Sequence, residues 1–100
     1  MAKIHATAVV EDGAQIADSA EIGPFCWVSS QAKIGENVRL LGQVTIYGDT
    51  TIGEGTVVFP GARLGCGPQD HGNEFQPGAR LIIGKRNVIR ENVTMHAGTP

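Results

Sequence analysis

Counting in steps of six from Ile4 meets an aliphatic residue every time: Ile4, Val10, Ile16, Ile22, Val28, Ile34, Leu40, Ile46, Ile52, Val58 and Leu64. A second column, four positions after each of the first ten, is small or β-branched: Ala8, Ala14, Ala20, Cys26, Ala32, Val38, Val44, Thr50, Thr56 and Ala62. Each member stands two positions before the next large aliphatic, so on an extended chain both side chains point the same way. The residue between them points the opposite way, and that column is mostly polar, as at Gln15, Glu21, Lys33, Arg39, Thr45 and Arg63. A helix does not suit the pattern, because a period of six does not gather residues onto one helical stripe. Each hexad therefore predicts one short strand, with a small and a large apolar side chain inward, followed by a corner. Glycine often follows the large aliphatic, at Gly23, Gly35, Gly53 and Gly65. The expectation is that it supplies a positive φ at the bend.

Strands this short need stacking neighbours. Three hexads closing a triangle make a coil of about 18 residues, and stacked coils make a parallel β-helix. Its thin interior is filled by rows of Ile, Leu and Val, each contributing roughly 1.5–3 kcal/mol on burial. The expected architecture is all-β, with residues 1–100 as one domain.

The rhythm breaks once. After Leu64 the next large positions are Ile83, Ile89 and Met95, and the spacing from Leu64 to Ile83 exceeds a whole number of hexads by one position. Between them lies "GCGPQDHGNEFQPGA", Gly65 to Ala79. Residues 66–78 carry no aliphatic column and are expected to leave the coil at a corner as a loop excursion. The loop offers Gln69, Asp70, His71, Asn73 and Glu74. A polar loop punctuated by Gly and Pro on a rigid scaffold is a common way to place functional groups. A plain solvated insertion is the alternative, and the loop residues alone leave both readings open.

Composition changes the picture little. Hydrophobic residues at 41% and charged residues at 18% are those of a folded chain, while 5% aromatics and 14 glycines suit a chain that turns often. The net charge of −2 comes without any basic run, so nucleic acid is not an expected partner. The N-terminus does not read as a signal peptide and no apolar stretch is long enough to cross a bilayer, so a cytoplasmic location without membrane insertion is expected. Cys26 and Cys66 lack a CxxC spacing and are expected to be free thiols, Cys26 as a small buried hydrophobe. His5, His71 and His96 are too scattered to suggest a metal site, and no metal or other cofactor is expected.

The hexads "IGENVR" (Ile34–Arg39) and "IGEGTV" (Ile52–Val57) resemble those of the hexapeptide-repeat transferases. That resemblance implies a left-handed parallel β-helix; the period does not reveal the hand, and most crossover connections are right-handed. The order of "IGPF" (Ile22–Phe25), "PQD" (Pro68–Asp70) and "IGKRNVIRENVTMHAGT" (Ile83–Thr99) is similar to the UDP-N-acetylglucosamine acyltransferases that begin lipid A synthesis. The resemblance covers the whole chain. It implies transfer of a 3-hydroxyacyl group from acyl carrier protein to the 3-hydroxyl of UDP-N-acetylglucosamine, by a homotrimer.

By the same resemblance, Gln69, Asp70 and His96 are substrate-binding residues. The family's catalytic histidine falls about one coil beyond Pro100, so no catalytic residue is expected within this chain, which reads as an N-terminal part truncated in mid-coil. Two positions depart from the family pattern: no lysine follows the Gln-Asp pair, and Ala97 stands where arginine is frequent. Another hexapeptide-repeat sugar acyl- or acetyltransferase, or a non-catalytic trimeric β-helical module, are the alternatives. A coil of three hexads also stacks Val9 and Trp27 outward, in line with Thr45 and Arg63, and stacks Leu41 on Phe59 at a corner. One of these columns is expected to face a neighbouring subunit. The competing reading has Trp27 covering a seam of its own chain, with Phe25.

Overall fold

A computed structural model describes residues 2–66 and 80–96, and every regular element among them is a β-strand. Most strands are two residues long, one side chain out and one in, as the alternation requires. They stack into three parallel sheets that form the three faces of a prism. The first face holds Lys3–Ile4, Glu21–Ile22, Arg39–Leu40, Val57–Val58 and Val88–Ile89. The second holds Val9–Val10, Trp27–Val28, Thr45–Ile46, Arg63–Cys66 and Thr94–His96. The third holds Gln15–Ile16, Lys33–Ile34, Asp49–Ile52 and Arg80–Ile83. This is the parallel β-helix expected from the repeat, with the left hand that the family resemblance implies.

Register confirms the two inward columns. Val10 pairs with Val28, Val28 with Ile46, Ile46 with Leu64 and Leu64 with Met95. Val28, Ile46, Val58 and Leu64 are fully buried, as are Ala32, Val38, Val44 and Ala62 of the small column. Backbone N–H groups donate from one coil to the next, as from Trp27 to the Val44 carbonyl at 2.9 Å and from Tyr47 to the Leu64 carbonyl at 2.8 Å. The two threonines of the small column are buried with their hydroxyls satisfied: Thr50 donates to the Tyr47 carbonyl at 2.7 Å and Thr56 to the Gly84 carbonyl at 3.0 Å. The first coil is less closed. Ile4 is 46% exposed, and Ala8, Val10, Ala14 and Ile16 are half-buried, because no described strand stacks on their outer side.

The glycine expectation needs correcting at three of its four positions. Gly65 does take a positive φ, of 87°, but Gly23, Gly35 and Gly53 do not. Their reason is space. A Cβ at Gly23 would lie 2.7 Å from the Leu41 carbonyl carbon, at Gly35 2.9 Å from the Ile52 oxygen, and at Gly53 2.6 Å from the Gly84 carbonyl carbon. The left-handed conformation falls instead three positions after the inward aliphatic, at Phe25, Asn37, Gln43, Arg86 and Asn92 as well as at Gly55 and Gly61. The bend is thus spread over a corner, and the glycine beside the strand lets one coil sit close on the next.

The break in phase also has a simple geometry. Ile52 pairs with Ile83, Val58 with Ile89 and Leu64 with Met95, and the step along the chain is lengthened equally in each case. Elsewhere the step is three hexads, as from Ile34 to Ile52. The coil itself is therefore unchanged, and the extra chain has been added between the strands Arg63–Cys66 and Arg80–Ile83.

Candidate functional site

The inserted segment leaves and re-enters the prism at the corner between the second and third faces, above Tyr47, Gly48 and Asp49. Both flanking strands run four residues where most run two, which carries the ladder into the corner. On re-entry Arg80 pairs with Asp49 and Leu81 with Thr50. On exit the ladder is irregular: Arg63 pairs with Thr94 and Leu64 with Met95, but Cys66 pairs with His96, so Gly65 is skipped as a bulge.

The floor under this bulge is built from buried hydroxyls. Thr50 Oγ1 donates to the Tyr47 carbonyl at 2.7 Å, and Ser29 Oγ donates to the Gly48 carbonyl at 2.7 Å. Gly65 lies directly on this floor. A Cβ there would collide with Thr50 Oγ1 and lie 2.5 Å from the Tyr47 oxygen, while its φ of 87° already disfavours any other residue. On the outside of the corner the Trp27 and Tyr47 rings pack at 5.9 Å between centroids, tilted by 51°. Lys33 Nζ reaches Asp49 Oδ1 at 3.4 Å, and Arg63 and Arg80 are exposed.

Of the three substrate-binding candidates, the structure locates one. His96 stands beside Cys66, the root of the insertion, in the parallel ladder of the second face. Gln69 and Asp70, with His71, Asn73 and Glu74, lie outside the described residues, as does the excursion expected at 66–78 apart from its root. Trp27 is half-buried against Tyr47 of its own chain, whereas Phe25 sits at a different corner, 65% exposed, so the partner named in the competing reading is not the one Trp27 takes. The outward stacking of Val9, Trp27, Thr45 and Arg63 is as expected. Cys26 is buried in the interior, and burial pushes its thiol pKa up, against smaller opposing hydrogen bonds from the Val44 and Gly23 backbone.

The supporting corner was not foreseen from the hexads. Thr50 reads as one more small inward residue, and nothing in a hexad marks its hydroxyl as the group that fixes the neighbouring turn. No separate signal marks it, because Gly48 and Asp49 fall where other hexads also carry polar or glycine corners, as at Asp12–Gly13, Glu36–Asn37 and Gly42–Gln43.

Residues 31–66 match the model of the bacterial transferase hexapeptide (six repeats) family. Over 98 residues, 96% of this chain and 34% of the relative, the sequence is 50% identical to an acyl-[acyl-carrier-protein]--UDP-N-acetylglucosamine O-acyltransferase of Mesorhizobium japonicum. Among solved structures, the UDP-N-acetylglucosamine acyltransferase of Francisella novicida superposes with a TM-score of 0.88 at 43% identity, covering 96% of this chain and 35% of that one. The UDP-N-acetylglucosamine O-acyltransferase of Moraxella catarrhalis gives 0.90 at 41%, covering 96% and 37%. The chain spans about a third of the length of the curated relatives it matches.

Proposed function

We propose that this chain is the β-helical part of a UDP-N-acetylglucosamine O-acyltransferase, with the corner insertion and His96 contributing to its substrate site. The observation that carries the reading is the position of the break. A coil repeated without variation is interrupted at one corner, and the interruption is rooted beside His96, the residue the family resemblance marks independently. Relatives bearing that activity match across nearly the whole chain, insertion included.

In this reading the sugar 3-hydroxyl attacks the thioester carbonyl of acylated carrier protein. Its proton passes to a general base, the carbon–sulfur bond breaks, and the carrier's thiol leaves. The resemblance puts that base on a histidine outside this chain. A histidine suits the task because its ordinary pKa lies near neutrality. The contribution of this chain is positional: Gln69, Asp70 and His96 hold the sugar nucleotide and acyl group in line. The enzyme works as a cytoplasmic homotrimer, with the site between subunits and the Val9–Trp27 column against a neighbour.

The test is turnover by the full-length protein with UDP-N-acetylglucosamine and 3-hydroxyacyl carrier protein, read by mass spectrometry of the sugar nucleotide. The expected product is the 3-O-acylated sugar nucleotide, and the present chain alone is expected to give none. A full-length protein that leaves both substrates untouched would remove the reading, and would favour a binding or scaffold role for the same helix.

A further inference from the structure

We infer that Gly65 is a positioning residue of this site: its bulge, seated on the Tyr47 carbonyl and the Thr50 hydroxyl, sets the register of Cys66 against His96. The inference rests on the functional reading above, in which His96 and the residues following Cys66 serve one site.

With regular pairing, Leu64 opposite Met95 would put Gly65 opposite His96. The observed partner of His96 is Cys66, so one residue has been taken up as a bulge. The bulge places Cys66, at the root of the insertion, beside His96 in the ladder. Bulges of this kind locally re-aim side chains and are frequent next to active sites. Only glycine meets the local demands. The φ of 87° lies in the left-handed region, and the Cα faces the Tyr47 oxygen and Thr50 Oγ1 with no room for a methyl group. Thr50 belongs to the same device: it is fully buried, and its hydroxyl pins the Tyr47 carbonyl on which Gly65 rests. The close approach at Gly53 differs in kind. There φ is not positive and the neighbour is the next coil at another corner, so it serves packing alone.

That contrast supplies the experiment, done in the full-length protein. Gly65→Ala and Gly53→Ala both press a methyl group against backbone, and both should lower the melting temperature. Only Gly65→Ala should lower kcat of the folded enzyme, by roughly a hundredfold if the displacement approaches an ångström, while Gly53→Ala keeps the wild-type kcat. A Gly65→Ala enzyme within about twofold of wild-type kcat would overturn the inference. If Gly65→Ala does not fold, Thr50→Val carries the test, because it keeps the volume and removes only the hold on Tyr47. A fall in kcat is again expected, and an unchanged kcat overturns.

A cross-link gives a readout independent of turnover. Cys66 and a cysteine introduced by His96→Cys are ladder partners, within the span a disulfide can bridge. Oxidation should link them in the Gly65 background and fail in Gly65→Ala; equal linking in both refutes the role of the bulge. Absent turnover by the wild-type protein would remove the functional reading, while the cross-link would still decide the register claim.

Discussion

Replacing Gly53 by Ala tests whether this glycine is there for space, because a glycine of ordinary φ in open surroundings and one pressed under a neighbouring coil predict opposite signs. If Gly53 were present for its conformational freedom, its φ would be positive, and it is not. With a φ open to any residue and no neighbour in the way, alanine would stabilise the fold by about 0.4–1 kcal/mol through the unfolded chain. The structure instead puts a Cβ at Gly53 2.6 Å from the Gly84 carbonyl carbon and 2.8 Å from the Lys85 nitrogen. These are backbone atoms and cannot swing aside. The coil is tied on both sides, by Gly53 N–H to the Ile83 carbonyl at 2.8 Å and by Gly35 N–H to the Ile52 carbonyl at 2.9 Å. Overpacking of this sort costs about 1–3 kcal/mol. Ala17 holds the equivalent corner of the first coil, where a methyl group is accommodated, which favours the lower part of that range. The net expectation is a loss of about 1 kcal/mol once the unfolded-chain gain is subtracted. That corresponds to a fall in melting temperature of roughly 4–8 °C per kcal/mol for a unit of this size. Urea denaturation of wild type and Gly53→Ala, with the slope unchanged, measures it directly. An unchanged or raised midpoint would mean that the coils are not held at the observed separation.

Three further outcomes follow from the same structure. Ile34→Asp puts an unpaired carboxylate into the prism, at a cost of several kcal/mol; the variant should not fold, and a soluble protein with a cooperative melt would refute the register. Cys26 has its thiol pKa raised by burial from an ordinary value of about 9.0. The fold therefore favours the neutral thiol, and that contribution is whole below pH 9.0 and is lost as pH rises from there toward the folded value. The stability difference between wild type and Cys26→Ala should shrink with alkaline pH above that point, and a difference that stays constant to about pH 11 by denaturant titration would contradict it. In the proposed trimer, Trp27→Glu should leave a monomer or aggregate by light scattering, and an intact trimer would free the Val9–Trp27 face from the interface.

The regular part of this molecule was legible because each hexad is read by the same rule. Side chains alternate along a strand, so Ile46 and Val44 must share a face, and six-residue spacing leaves room for one corner. The same rule located the break in phase, which the ladder puts between the strands Arg63–Cys66 and Arg80–Ile83. What the pattern did not reveal depends on contacts between successive coils. The role of Gly53 is set by the Gly84 backbone, and that of Thr50 by the turn at Tyr47, neither of which a hexad displays. Trp27 packs on Tyr47 rather than Phe25 because Tyr47 lies one coil along at the same edge, while Phe25 turns away at a left-handed corner. For the candidate site, Gln69, Asp70 and His96 came from the family resemblance rather than from the repeat, and the bulge that sets His96 beside Cys66 appears only in the ladder.

In the reading proposed above, the coil folds without its insertion, and the insertion serves the substrate site. Deleting residues 66–78 from the full-length protein joins Gly65 to Ala79 and restores the three-hexad step between Ile52 and Ile83. The shortened protein should fold, with a melting temperature close to that of wild type, and should lack the proposed acylation of UDP-N-acetylglucosamine that the unshortened protein performs in the same assay. A deletion variant that fails to fold, or one that folds and keeps wild-type turnover, would contradict this.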